Sequence, residues 1–276
     1  MGWHGHLQLN YRRADGRSVL HDRHDGPLRV LQSLYPEGPA ICHNVLVHPP
    51  GGLVGGDVLA LDAGLGADSH ALITTAGATR FYRSTGAAAT QAVAVRIERG
   101  ARLEWLPLEA IAFSGCNAEN TLRFELAPGA EMIGWDVLAL GLPASDRPFE
   151  SGRFVQSIEL PRHWLERGLI DAADRRLLDS PLGLAGRRTL ATAWLAAGAP
   201  IAEPRRDALL DAARSVATAH SLAAWTGVTA PQPEVIVLRA LAPAVEPAID
   251  LLTWVWKAWR ETAWDLVATV PRVWRT

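Results

Sequence analysis

Short apolar runs separated by polar turns fill the first 160 residues of the chain. Residues 3–47 alternate apolar and polar stretches with glycines between them, which favours short strands over helices. From residue 57 to residue 160 the apolar runs recur roughly every 8–12 residues, a spacing typical of all-β proteins. The pattern predicts strands at 57–62, 70–75, 92–98, 102–106, 121–127, 131–140 and 153–160.

A short sequence pattern recurs weakly between these strands. Turns of the type glycine-alanine-charged residue occur at 66–68, 100–102 and 129–131, and a predicted strand follows each turn. The turns are separated by 34 and 29 residues, so the chain has no strict repeat. Stacked layers of strands fit this spacing.

Helical periodicity starts only after Pro204. A first helix is predicted at 205–223, and a strand follows at 234–240. A second helix is predicted at 246–270, with a proline in its first turn, where proline is tolerated. Its apolar face consists of Ile249, Leu252, Val255, Trp256, Trp259, Ala263, Leu266 and Val270.

The opposite face of the second helix is charged. It carries Asp250, Lys257, Glu261 and Asp265. Five formal charges between residues 250 and 265 exclude a membrane span and indicate an amphipathic docking helix. Trp254 and Trp264 fall on this charged face, where an exposed tryptophan indicates a partner interface. Alternatively, a second layer of the chain, the helix at 205–223 or the segment 271–276, covers them.

Composition then narrows the class of protein. The chain has 27 Lys and Arg against 29 Asp and Glu, and this balance gives no electrostatic reason to expect nucleic acid or an anionic membrane as a partner. Cys42 and Cys116 are the only cysteines, which is too few for a disulfide framework. The N-terminal residues lack the apolar core of a signal peptide. We therefore expect a soluble, cytoplasmic protein.

One loop interrupts the strand pattern most strongly. It consists of His48, Pro49, Pro50, Gly51, Gly52, Leu53, Val54, Gly55, Gly56 and Asp57. Its two prolines remove backbone donors, so no regular element runs through them. Its four glycines allow conformations and close approaches that other residues exclude. Such a loop is suited to placing polar groups, with a histidine where it begins and an aspartate where it ends.

The sequence of this loop, HPPGGLVGGD, resembles the signature of the UreD/UreH family of urease accessory proteins. Further segments fit the same family in the same order. They are YPEGPAICH at 35–43, TTAGATRFYRS at 74–84, LEWLPLEAIAFSGCNAE at 103–119, LLDSPLGLAGRRTLATAWLAAG at 177–198 and PRVWRT at 271–276. The resemblance therefore extends over nearly the whole chain.

The resemblance implies a mainly β fold, a β-helix-like stack of short strands with two α-helices in the C-terminal third. It implies one domain over 1–276, with the β stack at about 1–200 and a helix-strand-helix segment at about 205–276. It also implies a non-enzymatic urease maturation factor that binds urease apoprotein and a UreF-type partner. That partner would recruit the GTPase UreG. Nickel would then be in transit, with no tightly bound cofactor.

The resemblance further implies an internal water-filled passage lined by polar residues. Asp57, Asp136 and Glu166 are candidate lining carboxylates, Thr75 and Thr79 are candidate neutral oxygens, and His48 is a further ligand candidate. Each has a structural alternative. His48 could cap a turn, Asp57 could accept backbone N–H bonds from the glycines of the loop, and Glu166 could pair with Arg162 or Arg167. Asp136 interrupts an apolar strand, so its carboxylate must be paired, hydrogen-bonded or next to water.

The ligand types favour a conduit over a storage site. Scattered carboxylates and hydroxyls bind Ni²⁺ more weakly than clustered imidazole or thiolate, and an ion in transit must also leave. The adjacent Cys42 and His43 point to opposite faces of a strand and cannot chelate one ion. A β-helix hydrolase with His48 as base and Asp57 or Asp136 as orienting group is the alternative. The sequence offers it no convincing nucleophile.

Overall fold

The computed structural model describes residues 2–142 and 145–275. Strands dominate this part of the chain. In order they are β1 His4–Ala14, β2 Arg17–Asp25, β3 Arg29–Val30, β4 Ile41–Val47, β5 Gly52–Leu53, β6 Val58–Leu65, β7 His70–Thr75, β8 Thr79–Phe81, β9 Ala89–Ile97, β10 Arg102–Leu106, β11 Ala110–Ala112, β12 Cys116–Leu126, β13 Glu131–Leu142, β14 Arg147–Pro148, β15 Gly152–Leu160, β16 Trp164–Asp171, β17 Thr189–Ala197, β18 Thr226–Gln232 and β19 Val235–Ala242. The helices are α1 Arg175–Asp179, α2 Glu203–Ala219 and α3 Val245–Trp264.

The chain winds into a β-solenoid of about four coils. One face is a sheet in the order β16-β15-β12-β9-β6-β1-β2, and the other contains the run β18-β19-β17-β13-β10-β7-β4-β3. Short strands β5, β8 and β11 pair in parallel on a third side, and β11 also pairs with the end of β13. Each of the first three coils therefore has three sides, for example β4, β5 and β6.

The two long faces keep the same register from coil to coil. Val58 pairs with Thr90 and His70 pairs with Arg102, each pair 32 residues apart. The next pairs, Thr90 with Glu119 and Arg102 with Glu131, are each 29 residues apart. The glycine-alanine turns are the stacked corners of these coils, since the Gly100 amide donates to the carbonyl of Gly129 and Glu131 donates to Ala101.

Two cores result from this arrangement. The interior of the coils holds inward residues such as Leu61, Phe81, Val93 and Phe124. The antiparallel strands β17, β19 and β18 extend the second sheet, and α2 and α3 cover its outer face. A second apolar core forms there, between the sheet and the helices. Within the described ranges, no helix is long and apolar enough to cross a membrane.

The predicted fold class, a mainly β stack with two substantial helices late in the chain, is confirmed. All seven predicted strands of the 57–160 region exist, with boundaries shifted by a few residues. The second helix ends at Trp264 instead of residue 270, because Asp265 adopts a left-handed conformation with φ 54°. The unpredicted strands are β5, β8, β11, β14, β16, β17 and β18.

Trp254 and Trp264 separate at this helix end. Trp254 is 52% exposed and lies against Lys257, as the charged face predicts. Trp264 is only 7% exposed, so for this residue the alternative holds that the chain itself covers it. Its indole N–H donates to Glu131 at 2.7 Å. The last turn of the helix lies over the edge of the solenoid, where the corner residue Glu131 offers an acceptor.

A cavity inside the coils as the candidate functional site

A cavity of about 280 Å³ lies inside the solenoid, on the side of the short third strands. Successive coils each contribute to its wall. The first contributes Val47, His48 and Gly51, the second Thr75–Arg80, the third Trp105, Pro107, Leu108, Ala110 and Asn120, and the fourth Asp136. The family-like segments at 48–57, 74–84 and 103–119 are thus the same side of three consecutive coils. Segments that follow one another in the sequence therefore lie on top of one another in the fold.

The loop 48–57 fits tightly against the second coil. Gly51 has φ +76°, a conformation that side chains disfavour. A Cβ at Gly52 would lie 2.3 Å from Tyr82 Cε2 and 2.8 Å from the Arg80 carbonyl oxygen, because β5 pairs with β8 there. Glycine at these positions lets the loop close the coil and direct His48 into the cavity.

Asp57 is a structural acceptor for the loop. Its carboxylate accepts the backbone N–H of Trp3 at 3.1 Å and that of Val54 at 2.9 Å. Asp57 therefore accepts backbone donors, as the alternative expects, but these donors are Trp3 and Val54 and not the glycines of the loop. The residue is buried and lies outside the cavity wall described above. A nickel ligand role for Asp57 stays a prediction, and it would compete with these two bonds.

His48 and the cavity wall contain buried polar atoms that need partners. His48 Nε2 and Trp105 Nε1 have no hydrogen-bond partner among the described residues. Burial lowers the pKa of His48, and the charge of Asp57 partly opposes this shift. Because buried polar groups are normally hydrogen-bonded, and the space is large enough for several water molecules, the cavity is expected to be wet.

Asp136 is the carboxylate that faces this cavity. It is 8% exposed, and Oδ1 accepts a hydrogen bond from Asn120 Nδ2 at 3.3 Å. Burial raises the pKa of Asp136 to about 7; the Gln156 and Asn120 amides oppose the rise, while the charge of Glu166 adds to it. No described cation pairs with this carboxylate. A hydrogen-bonded carboxylate that faces a cavity is one of the outcomes that the sequence required of an aspartate at this position.

The two predicted threonines also lie in the wall. Thr75 Oγ1 accepts the backbone N–H of Leu108 at 2.9 Å, which links the second coil to the third. Thr79 begins β8 and lies on the same side. The structure thus brings His48, Thr75, Thr79 and Asp136 together around one space. Whether they serve a passing ion stays a prediction.

Glu166 lies outside the wall and is already paired. It forms an ion pair with Arg239, whose Nε donates at 2.6 Å, and it accepts from Thr192 Oγ1 at 3.2 Å. The expected pairing with Arg162 or Arg167 is wrong, since Arg167 is the next residue on β16 and points to the opposite face. Glu166 is still close enough to Asp136 to raise its pKa.

Cys42 and His43 behave as the strand geometry predicts. Cys42 is buried in the coil interior and its thiol donates to Asn44. The His43 ring lies on the other face, 2.7 Å from Glu37. In residues 2–142 and 145–275 no group of three or more His, Cys, Asp or Glu is arranged to hold a metal ion.

Comparison with known proteins decides the family. The model of the family described as UreD urease accessory protein matches residues 4–275. The chain belongs to the UreD family. It is 60% identical to the urease accessory protein UreD of Variovorax paradoxus over the full length of both chains. It is 61% identical to the UreD protein of Albidiferax ferrireducens over 99% of each chain.

Membership of the UreD family confirms the resemblance drawn from the loop and the ordered segments. The geometry also bears on the hydrolase alternative. Neither Asp57 nor Asp136 is hydrogen-bonded to the His48 ring within the described part of the chain. The wall residues given for the cavity include no serine and no cysteine. The geometry therefore offers no oriented base and no nucleophile of these types.

Sequence reasoning missed three amides beside Asp136. Gln91 and Asn120 line the cavity, and Gln156 pairs with Asn120. Each occupies an inward position on its strand, where the alternation of β9, β12 and β15 otherwise places apolar side chains. A polar residue at an apolar position was a usable signal for each one. Their proximity depended on the register of the coils.

Proposed function

We propose that this protein is a urease maturation factor that scaffolds the accessory complex and conducts nickel through its coil interior. The cavity-facing carboxylate of Asp136 carries this proposal, because it is buried without a described cation. A divalent cation bound there would supply the missing charge. The UreD family, whose relatives are named urease accessory proteins, supports urease apoprotein as the recipient.

The donor set of the cavity suits an ion that moves on. His48, Thr75, Thr79 and Asp136 provide one imidazole, two hydroxyls and one carboxylate around one space. Hydroxyl and carboxylate oxygens hold Ni²⁺ more weakly than thiolate or several imidazoles would. Water replaces the remaining ligands. We expect the ion to be partly hydrated in the cavity and to leave without a large barrier.

Glu166 is the next carboxylate on this route. It lies near Asp136 and reaches the edge of the solenoid, where its side chain is 28% exposed. A cation leaving Asp136 would meet this second negative charge before reaching solvent or a partner. Displacement of Arg239 from Glu166 would be required at that step.

Partners complete the proposed function. A UreF-type protein is expected to bind this chain and recruit the GTPase UreG, which would deliver nickel. The exposed Trp254 with its neighbour Lys257 on α3 is the proposed part of the surface for the UreF-type protein. GTP hydrolysis would belong to the partner.

The test is urease activation in a reconstituted accessory complex. We expect Asp136→Ala to lower the nickel content of urease strongly and Glu166→Ala to lower it less, with both variants folded and bound to their partners. Asp62→Ala is the matched control, because Asp62 is an exposed carboxylate on the outer face of β6, paired with His6. Normal nickel content with Asp136→Ala would contradict the conduit. Co-purification of urease and the accessory partners tests the scaffold separately.

A further inference from the structure

Three carboxamides form a ladder across three coils. The strand register places Gln91 of β9 beside Asn120 of β12, and Asn120 beside Gln156 of β15. Gln91 Nε2 donates to Asn120 Oδ1 at 3.0 Å, and Asn120 Nδ2 donates to Gln156 Oε1 at 3.2 Å. The second hydrogen of the same Asn120 nitrogen serves Asp136 Oδ1 at 3.3 Å. Asn120 is 1% exposed.

The direction of these bonds is set by Asp136. A carboxylate that binds a cation is ionised and only accepts, so the side of Asn120 that faces it must be the NH₂ group. The carbonyl oxygen of Asn120 must then point to Gln91, which has to donate. The donating NH₂ of Gln91 leaves its own Oε1 without a donor among the described residues. One carboxylate thus orients the amides on the neighbouring coils.

This orientation makes oxygen atoms, and not N–H groups, face the cavity. Gln91 and Asp136 both line the cavity, and the bonds described above leave oxygens of both available to a cation. An amide turned the other way would present hydrogens and repel a cation. Hydrogen-bonded groups behind the metal-contacting oxygens fix their direction, and their loss typically costs about 10–100-fold in metal affinity or activity.

We propose that Asn120 is the positioning residue of this site: it holds the Asp136 carboxylate and orients Gln91 so that the cavity presents oxygens to a divalent cation. The inference rests on the proposed nickel conduit and adds a residue that contacts the ion only through its neighbours.

The experiment measures urease activation as a function of Ni²⁺ concentration in the reconstituted complex. Asn120→Leu keeps the approximate size and removes all three hydrogen bonds. We expect the nickel concentration for half-maximal activation to rise about 10-fold, with activation at saturating nickel largely retained. A purely structural role would instead lower maximal activation in proportion to the loss of folded protein. Asn117→Leu is the control, because Asn117 lies on the outer face of the same strand.

A double variant keeps the test decisive if Asn120→Leu does not fold. Asn120→Asp combined with Asp136→Asn exchanges the two groups, and the new carboxylate can still accept from Gln91 and from the new amide. We expect it to recover most of the activation that Asp136→Asn loses alone. No recovery, or an unchanged half-maximal nickel concentration with Asn120→Leu, would overturn the inference. If Asp136→Asn itself activates urease normally, the conduit fails instead.

Discussion

Two buried carboxylates, Glu104 and Asp136, lie on the neighbouring strands β10 and β13 and face opposite sides of one sheet. Glu104 faces the helices and has strong donors on every side. Trp256 Nε1 donates at 2.6 Å, Arg260 Nε donates at 3.2 Å, and the His70 ring nitrogen lies at 2.7 Å. Asp136 faces the cavity and has an amide as its hydrogen-bond donor.

The two environments move the pKa values in opposite directions. Burial alone would raise the pKa of Glu104, but the His70, Arg260 and Trp256 partners hold it below its usual range. Burial raises the pKa of Asp136 to about 7, and the amides only limit the rise. The Glu104 carboxylate, buried with its donors, ties α3 to the sheet. The Asp136 carboxylate has no described cation partner and would be available to the proposed cargo cation.

The network of Glu104 also attaches α3 to the coils. Arg260 is fully buried, and its Nη1 donates to Glu37 at 2.6 Å and to the Val267 carbonyl at 2.7 Å. Glu37 in turn contacts His43 on β4. The helix, the chain after it and three coils therefore share one charged cluster.

The largest expected effect is on folding stability at Glu104. Glu104→Gln keeps the shape but leaves Arg260 without one buried counter-charge, so we expect a loss of about 3–5 kcal/mol in the free energy of unfolding. Chemical denaturation at neutral pH measures it. Glu125→Gln, which breaks an exposed pair with Arg123 on the outer face, is the control and should change little. Equally small losses of stability in Glu104→Gln and Glu125→Gln would show that the charged cluster around Glu104 does not stabilise the fold.

The pH dependence of stability should have opposite signs at the two sites. Asp136 binds its proton more tightly in the folded state than in the unfolded chain, where its pKa is about 3.9. The folded state is therefore destabilised as pH rises from about 4 to about 7. Glu104 has a lowered pKa when folded, so its stabilising contribution is present above about pH 4.3 and is lost on acidification through the folded pKa.

Denaturation of the wild type and two variants over about pH 2 to 8 separates these contributions, because the contribution of Glu104 is lost only below about pH 4.3. Asp136→Asn should gain stability relative to the wild type as pH rises to about 7 and then level off. The deficit of Glu104→Gln should shrink toward the acid end. A stability difference between Asp136→Asn and the wild type that does not vary with pH would mean that the carboxylate is not perturbed.

A smaller effect is expected at two tryptophans of α3, the exposed Trp254 and the buried Trp264. Trp254→Ala should weaken binding of the proposed UreF-type partner by about 1–3 kcal/mol, with little change in melting temperature. Trp264→Ala should lower the melting temperature, because its indole is buried against Glu131 and His70. Partner affinity from titration and thermal melts of the free protein give both readouts. Unchanged affinity with Trp254→Ala would remove this surface from the interface.

The sequence predicted what depends on local pattern. Strand spacing predicted an all-β region, and the glycine-alanine turns were compatible with the β-helix-like stack that the family resemblance implied. A charged residue inside an apolar strand predicted that Asp136 needs a special environment. The ladder of Gln91, Asn120 and Gln156 was out of reach, because its members are 29 and 36 residues apart and meet only through coil register. The same holds for Glu166 and Arg239, which are 73 residues apart.

Helix projection failed for a related reason at Trp264. The 100° rule gives the direction of a side chain around the axis, but it does not say where the helix ends relative to the sheet beneath. Asp265 ends α3 over the solenoid edge, and Trp264, which the projection assigned to the charged face, then donates to Glu131.

The equal register of the two long faces has a consequence for how this protein can vary. The coils are joined by backbone hydrogen bonds that do not depend on side-chain identity. At each paired position along a face, every coil contributes one residue, and alternate positions point into the interior. The frame and its lining can therefore change independently. A substitution of one inward residue alters the chemistry of the interior at that position only. A one-residue insertion within a strand would instead exchange the inward and outward side chains in the rest of that strand. Length can change only at the corners.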